Sequence, residues 1–318
     1  MSMHLLRDQF LLRLPLALLC LALSACASLP DVQYLKTSLQ PQDSATIQTA
    51  QGGTLSKEKT ESLLARRLRS DNVALPELAA LEEAATGSPL IAGNKLTLLN
   101  DGPDTLRAMI AAISTAKDHV NLETYIFNED SIGTEFAELL MQKQREGVQV
   151  NIIYDSIGSL STPPEFFQKL RDSGINLLEF SPVNPFKRAL STRLNNRDHR
   201  KILVVDGRIA FTGGINISSD YSSKSLFRSS KKKDDDLGWR DTHIQVEGPA
   251  VASFQWLFMQ TWVSQKTDSL ATRNYFPPLT RMGDKVVRVI GSEPGGNYEV
   301  YKAYVLAMQE AKVSIHVT

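Results

Sequence analysis

Residues 198–218 read DHRKILVVDGRIAFTGGINIS, and this stretch decides how the chain is interpreted. A β-rich aliphatic run precedes the dipeptide Asp206-Gly207, a strong hairpin signal, and a second β-rich run follows it. Because side chains two apart on a strand face the same way, His199 and Lys201 share a face. The stretch therefore predicts a β-hairpin that presents an imidazole and an ammonium group side by side.

A histidine and a lysine on one face suit phosphodiester chemistry. A neutral imidazole can attack phosphorus and form a covalent phosphohistidine, which splits one difficult displacement into two easier steps. Lys201 can neutralise the non-bridging oxygens as negative charge builds up. Asp206 has the opposite parity to His199, and its position in the turn is its simplest explanation. The alternative interpretation of His199 is an ordinary surface or core histidine.

The end of the quoted stretch supplies small and polar residues. Gly213 and Gly214 allow a close approach of the backbone, and Asn216 and Ser218 can donate hydrogen bonds to phosphate oxygens. The sequence contains no His/Cys cluster or carboxylate grouping with clear metal-ligand spacing. We therefore predict no metal and no other cofactor.

Strands alternate with amphipathic helices upstream of this stretch. The segments NKLTLLNDG, HVNLETYIF and VQVNIIYDSIGS read as strands, and DTLRAMIAAISTAK and IGTEFAELLMQKQREG read as helices. This alternation predicts a layered α/β domain.

The N-terminus resembles a targeting signal. Two arginines precede a short apolar run, and residues 23–26 read LSAC, which resembles the lipobox of bacterial lipoproteins. We expect a signal peptide over residues 1–25, lipidation of Cys26 and a polar tether over residues 26–75. The expected location is the bacterial cell envelope, lipid-anchored and facing the periplasm, with the outer membrane weakly favoured. A plain secretory signal and an uncleaved anchor helix are the alternatives.

Charge is balanced overall but not locally. Lys plus Arg and Asp plus Glu both total 35, so the net charge favours neither nucleic acid nor an anionic membrane surface as a partner. Between Lys187 and Lys233, however, twelve Lys or Arg stand against three Asp and no Glu. This excess favours attraction of an anionic group, and a solvated charged loop is the alternative.

Two pairs of segments indicate an internal repeat. GNKLTLLNDG at Gly93 resembles GDKVVRVIGS at Gly283, and AISTAKDHVNLE at Ala112 aligns without a gap on AMQEAKVSIHVT at Ala307. We expect residues 276–318 to begin a second, truncated repeat, whose copy of the His-x-Lys motif would fall beyond Thr318. Chance likeness between two α/β units is the alternative.

The stretch resembles the phospholipase D superfamily. The family motif is His, any residue, Lys, four residues and Asp, commonly followed by Gly-Gly-x-Asn. LETYIF, VNIIYDSIGS and WRDTHIQVEGPAV extend the resemblance to the cardiolipin synthase branch, over about residues 78–318. It implies a layered sandwich of a mixed β-sheet flanked by helices, with residues 76–275 as a phospholipase D-like domain. The motif positions are His199, Lys201, Asp206, Gly213, Gly214 and Asn216.

The resemblance also implies roles for these residues. His199 would be the nucleophile and Asp206 would support the site. The phosphate would be contacted by Lys201, Asn216, Ser218 and Gly214. In the family a second motif faces the first, and its histidine acts as general acid. Here that motif would come from a missing C-terminal half or from a second chain.

Two aromatic and polar clusters complete the prediction. Trp239, Arg240, Asp241 and His243 fit the WRDTH strand of the family and are expected to be structural or to support the site. Trp256, Phe258 and Trp262 lie at helical spacings and are expected in the core, with a lipid-facing surface as the alternative.

The expected function is that of a membrane-anchored phosphatidyltransferase of cardiolipin synthase type, acting on a phospholipid such as phosphatidylglycerol. A phospholipase D-type hydrolase or a nuclease would use the same residues, although a nucleic-acid substrate is not favoured. The alternative from another class is an inactive truncated lipoprotein that binds lipid or a protein partner.

Overall fold

The protein is described by a computed structural model that covers residues 29, 32–39, 44–67, 75–182, 196–222, 241–265, 269–293 and 295–317. The predicted signal peptide, Cys26, eight of the twelve basic residues between Lys187 and Lys233, Trp239 and Arg240 lie outside these residues. Within them, no helix combines the length and the apolar character needed to cross a membrane.

Nine strands and eight α-helices form the described part of the chain. The strands are β1 (Ile47–Gln48), β2 (Leu90–Leu99), β3 (His119–Thr124), β4 (Gln149–Asp155), β5 (Asn176–Phe180), β6 (Ile202–Val205), β7 (Ile209–Gly213), β8 (His243–Glu247) and β9 (Lys285–Val287). The helices are α1 (Leu35–Ser38), α2 (Lys57–Arg67), α3 (Leu75–Thr86), α4 (Gly102–Thr115), α5 (Ser131–Arg145), α6 (Pro164–Asp172), α7 (Val251–Ser264) and α8 (Glu299–Glu310). A short 3₁₀-helix spans Ser219–Tyr221.

The strands form one mixed sheet in the order β1-β2-β8-β7-β6-β3-β4-β5, and β9 pairs with β2. The strand β3 pairs in parallel with β4 and antiparallel with β6, so the sheet changes direction in its middle. Parallel pairs join β3, β4 and β5 through crossover helices, whereas the β6–β7 hairpin joins antiparallel neighbours. The predicted mixed α/β sheet flanked by helices is confirmed.

Helices cover both faces of this sheet. On one face, Val120, Leu122 and Leu203 pack with the apolar sides of α4, α5 and α6. On the other face, Val204 and Val246 pack against α7. Because both faces are buried, β6 consists entirely of apolar residues, whereas β3 alternates polar and apolar residues over most of its length, and all of them are buried.

The predicted hairpin is present. Asp206 and Gly207 have φ values of 52° and 62°, and the N–H of Arg208 donates to the carbonyl of Val205 at 2.9 Å. Two positive φ values at the centre of a turn are typical of type I′, which matches the twist of paired strands. The hairpin holds β6, at whose beginning the His-x-Lys pair lies.

One of the three aromatic residues on α7 is not in the core. Phe258 and Trp262 are buried, whereas Trp256 is 57% exposed, so the prediction for Trp256 was wrong. Residues two apart on a helix differ by about 200° in direction, so Trp256 and Phe258 cannot both face the sheet.

The segment proposed as a second repeat adds the strand β9 beside β2. The strand β9 pairs antiparallel with β2, with Ile91 opposite Val287. Behind it, Leu306 of α8 packs with Leu78 and Leu81 of α3. The two strands that the repeat relates to each other are therefore direct neighbours.

Candidate active site

His199 lies just before β6 and is exposed, with its imidazole 4.7 Å from the ring centroid of Tyr125. Partial burial lowers the pKa of His199, and the positive charge of Lys201 lowers it further, although Asp198, Asp155 and Asp241 oppose this change. The imidazole is therefore neutral near pH 7, the form in which it can act as a nucleophile.

Lys201, two residues after His199, is buried. Its Nζ donates a hydrogen bond to the carbonyl oxygen of His199 at 2.9 Å and lies 5.2 Å from the Tyr125 ring centroid. Burial lowers the pKa of Lys201 to about 8, against the raising effect of nearby aspartates. Lys201 is thus still cationic at pH 7. Its ammonium group donates one N–H to a carbonyl, so two N–H groups remain for an anion.

Tyr125 brings the pair together, because both side chains contact the same ring. The prediction that His199 and Lys201 share a face agrees with this shared contact. Tyr125 itself follows the end of β3 and was not selected from the sequence. An aromatic residue directly after a buried strand is too common a pattern to indicate a site.

Asn216 is buried beside the strand ends, and both the oxygen and the nitrogen of its side-chain amide already have hydrogen-bond partners. Its Oδ1 accepts from the N–H of Ile126 at 3.1 Å, and its Nδ2 donates to the hydroxyl of Tyr221 at 2.8 Å. One amide hydrogen remains for a phosphate oxygen. The stronger effect of Asn216 in this structure is to hold the backbone that follows Tyr125.

The hydroxyl group of Ser218 is held by side chains of the protein. Its hydroxyl is completely buried, accepts from the amide of Asn128 at 3.1 Å and lies 3.2 Å from Asp130 Oδ2 and 3.1 Å from Asp220 Oδ2. Because the hydroxyl hydrogen is directed to a carboxylate, it is not available to a substrate oxygen. Ser218 also caps the 3₁₀-helix, and its phosphate contact stays a prediction.

The backbone N–H of Gly214 also has a hydrogen-bond partner within the protein. Its N–H donates to the carbonyl of Thr242 at 3.1 Å, and a Cβ at this position would lie 2.2 Å from Asp241 Oδ1. The close approach predicted for the glycines is present, but the group that approaches is the segment leading into β8. The N–H of Gly214 therefore already has a partner within the protein, and its phosphate contact stays a prediction.

Asp206 lies at the opposite end of β6 from the His-x-Lys pair. Its carboxylate accepts from the backbone N–H groups of Lys117 at 2.9 Å, Asp118 at 2.8 Å and His119 at 3.0 Å. The side chain thus ties the hairpin turn to the beginning of β3. Asp206 supports the site only through the strand that separates it from His199.

Asp241 and His243 lie close to the pair, as expected for supporting residues. The charge of Asp241 raises the pKa of both His199 and Lys201. His243 is 1% exposed, and its Nδ1 accepts from the N–H of Ile215 at 3.4 Å. Burial, helped by the charge of Lys201, lowers the pKa of His243 to about 3, so this imidazole is neutral.

Three buried carboxyl groups behind the pair were missed by the sequence reasoning. They belong to Glu123 of β3, Asp155 at the end of β4, and Asp198. The alternation in HVNLET places His119, Asn121 and Glu123 on one face, and all three are buried. A polar residue at every second position of a central strand was the signal that could have revealed the cluster.

Comparison with known proteins gives the family relationships. The family described as "Cardiolipin synthase, PLD-like domain" matches residues 109–226. The chain is 35% identical over 232 residues to a cardiolipin synthase of Alkalihalophilus pseudofirmus, covering 72% of this chain and 44% of that protein. It is 34% identical over 245 residues to a cardiolipin synthase of Halalkalibacterium halodurans, covering 76% of this chain and 46% of that protein.

The chain thus spans a little under half the length of these curated relatives. Among solved structures, it aligns with the phospholipase D family member Nuc from Salmonella typhimurium at a TM-score of 0.38 and 17% identity, covering 54% of this chain and 95% of that chain. A TM-score this low supports no conclusion about the site.

Proposed function

This chain belongs to the phospholipase D superfamily, in its cardiolipin synthase-like branch, and on that premise we propose that it transfers a phosphatidyl group between lipids through a covalent intermediate on His199. The observation that carries the proposal is the exposed, neutral imidazole of His199 beside the buried cation of Lys201. A nucleophile that is accessible and a cation that is largely withdrawn from water are what an attack on a phosphodiester requires.

The reaction has two displacements. In the first, a ring nitrogen of His199 attacks phosphorus, a P–N bond forms, and the P–O bond to the leaving alcohol breaks. In the second, a hydroxyl of the acceptor lipid attacks phosphorus and the P–N bond breaks, which restores the imidazole. Lys201 stabilises the negative charge on the non-bridging oxygens in both transition states.

Each displacement also moves one proton. The first leaving alcohol must gain a proton, and the attacking hydroxyl must lose one. We propose that the histidine of a second motif carries this proton, supplied by a C-terminal repeat or by a second copy of the chain. The likeness of GDKVVRVIGS to GNKLTLLNDG and the greater length of the relatives support this proposal.

Membrane attachment is proposed to go through Cys26, on the support of the LSAC sequence alone. Metabolic labelling of the expressed chain with a radioactive fatty acid tests it. Label should be incorporated in the native chain and lost in Cys26→Ala, with Cys20→Ala as the matched control. Label retained by Cys26→Ala would contradict this attachment.

The central experiment incubates the protein with phosphatidylglycerol vesicles and identifies the products by lipid mass spectrometry. We expect cardiolipin and free glycerol from the native chain and neither from His199→Ala. His316→Ala is the matched control, because His316 is an exposed histidine outside the site. Equal turnover by the native chain and His199→Ala would overturn the assignment of the nucleophile.

Two other results would change the proposed reaction. Phosphatidic acid without cardiolipin would show that water is the acceptor, as in a phospholipase D-type hydrolase. A rate that rises with the square of protein concentration would show that two copies together supply the two motifs. Lipid binding without turnover would favour the inactive binding protein.

A further inference from the structure

The main chain around His199 is held by buried side chains. The N–H of Asp198 donates to Asp155 Oδ2 at 3.0 Å, the N–H of Arg200 donates to Asp198 Oδ1 at 3.1 Å, and the carbonyl of His199 accepts from Lys201 at 2.9 Å. The His199 side chain is exposed and rests on Tyr125. Its position is therefore determined mainly by these backbone contacts, and Asp198 takes part in two of them.

The carboxyl group of Asp198 lies close to a second buried carboxyl group, that of Glu123. Glu123 is completely buried, and its carboxyl group lies close enough to that of Asp198 for each to shift the pKa of the other. Glu123 Oε1 accepts from the Thr261 hydroxyl at 2.8 Å and lies 3.9 Å from an Arg200 nitrogen. Glu123 Oε2 and Asp198 Oδ2 are both buried and receive no hydrogen bond from a donor in the described part of the chain.

The neighbouring cation, Arg200, donates no hydrogen bond to either of these two oxygens. The guanidinium of Arg200 donates to Thr261 Oγ1 at 2.8 Å and to the carbonyl of Ser292 at 2.7 Å. Two ionised carboxylates in contact, each with a buried oxygen lacking a donor, would repel each other and remain unsolvated. A single proton between them removes the repulsion and satisfies both oxygens.

We propose that Glu123 is a neutral carboxylic acid that donates its proton to the carboxylate of Asp198, and that this hydrogen bond positions the backbone of His199. Glu123 is thus a positioning residue, and its effect on turnover rests on the proposed function. Burial, together with the negative charge of Asp198, raises the pKa of Glu123 well above its usual range, and Arg200 only partly opposes this.

The charges around the pair agree with one shared proton. Asp155 lies 3.7 Å from Arg197, and Arg200 lies 3.9 Å from Glu123. With Glu123 neutral, the negative charges of Asp155, Asp198 and Asp241 face the positive charges of Arg197, Arg200 and Lys201, so the charges around the site balance.

The proton can be observed directly by infrared spectroscopy. A protonated carboxyl group has a C=O stretching band distinct from the bands of a carboxylate, and exchange into deuterium oxide shifts it. In the difference spectrum at pH 7 we expect this band in the native chain and its loss in Glu123→Gln. Glu247→Gln is the matched control and should keep the band, because Glu247 pairs with Lys95 at 2.7 Å on the same sheet.

Rescue by an isosteric donor separates positioning from simple packing. Glutamine has the shape of the neutral acid and donates from its amide, so Glu123→Gln should fold and turn over phosphatidylglycerol within about twofold of the native rate. Leucine has a similar volume but donates nothing, so Glu123→Leu should lose about 10- to 100-fold in kcat, as expected when a nucleophile is misplaced.

Several outcomes would overturn this inference. A native spectrum without the band, a band that persists in Glu123→Gln, or unfolding of Glu123→Gln would each show that Glu123 is not a neutral donor. Equal kcat in Glu123→Leu and Glu123→Gln would show that the hydrogen bond does not position His199. The spectrum does not depend on turnover, so absence of activity in the native chain would contradict the proposed function without affecting the test of the proton.

Discussion

The ammonium group of Lys201 donates a hydrogen bond at 2.9 Å to the backbone carbonyl of His199. The cation proposed to bind phosphate thus also holds the main chain of the residue proposed to attack phosphorus. Because both side chains contact Tyr125, a change at any one of the three residues alters the geometry of the other two.

Replacing Lys201 with methionine should reduce kcat for phosphatidyl transfer by about 100- to 1,000-fold, the usual effect of removing a donor that stabilises transition-state charge. The measurement is steady-state turnover of phosphatidylglycerol, with folding checked by circular dichroism. Lys95→Met is the matched control, because Lys95 is an exposed lysine paired with Glu247. A Lys201→Met rate equal to the control rate would contradict the role of the cation.

The pH dependence of kcat/KM should be bell-shaped. Activity requires neutral His199 and cationic Lys201. The pKa of His199 is lowered, so the acid limb should lie below its usual 6.5, and the alkaline limb should lie near 8, where Lys201 loses its proton. Rates measured from pH 4 to pH 10, about the range of these two limbs, test this expectation. A rate that stays constant well above pH 8 would contradict it.

Stability should fall on mild acidification because of His243. Its pKa is about 3 in the folded chain and near 6.5 when unfolded, so between these values the unfolded state binds more protons. The contribution is fully present above pH 6.5 and is lost as pH falls toward 3. The slope contributed by one such group is at most about 1.4 kcal/mol per pH unit.

Denaturant unfolding at pH 7 and pH 5 measures this loss. His243→Asn keeps an acceptor for the Ile215 N–H and does not titrate, so its stability should depend less on pH than that of the native chain. His316→Ala, which removes an exposed histidine, should behave like the native chain. The same slope in His243→Asn and the native chain would show that another group is responsible.

Asp206 should affect stability rather than catalysis. Asparagine tolerates the left-handed conformation at φ 52°, but Asp206→Asn replaces charge-assisted contacts to three N–H groups. The free energy of unfolding should fall by about 1–3 kcal/mol. Turnover per folded molecule should stay within about twofold of the native value, as for a substitution outside the reacting groups.

The comparison for Asp206 is Asp104→Asn, because Asp104 forms an exposed pair with Arg107 on α4. This change should alter the free energy of unfolding by less than about 0.5 kcal/mol. A large loss of kcat in folded Asp206→Asn would place Asp206 in the chemistry and contradict the position described for it.

The local parts of the site followed from the sequence. Strand alternation predicted that His199 and Lys201 share a face, and both side chains contact Tyr125, although the two residues lie just before β6. The Asp206-Gly207 dipeptide predicted the two-residue hairpin turn that the structure contains. These predictions succeeded because period-two geometry and turn preferences act over a few residues. The α/β layering followed from the same kind of local pattern.

Contacts between distant segments were not predictable in this way. Ser218 is satisfied by Asn128 and Asp130, and Gly214 is satisfied by Thr242 and lies against Asp241. Each residue has the donor expected of a phosphate contact, but a partner far along the chain already uses it. Whether a donor is free depends on which strands become neighbours, and the residue type does not reveal this.

The sequence by itself determined the paired imidazole and ammonium groups and the hairpin that carries them, because both depend on strand periodicity and one turn. Only the tertiary structure decided which polar groups are available to a substrate and which form hydrogen bonds within the protein. It placed Glu123 of β3 near Asp198, 75 residues later, and among the described residues it left one buried oxygen of each carboxyl group without a donor. Burial and proximity then determine the protonation state of that pair, and these are properties of the assembled sheet.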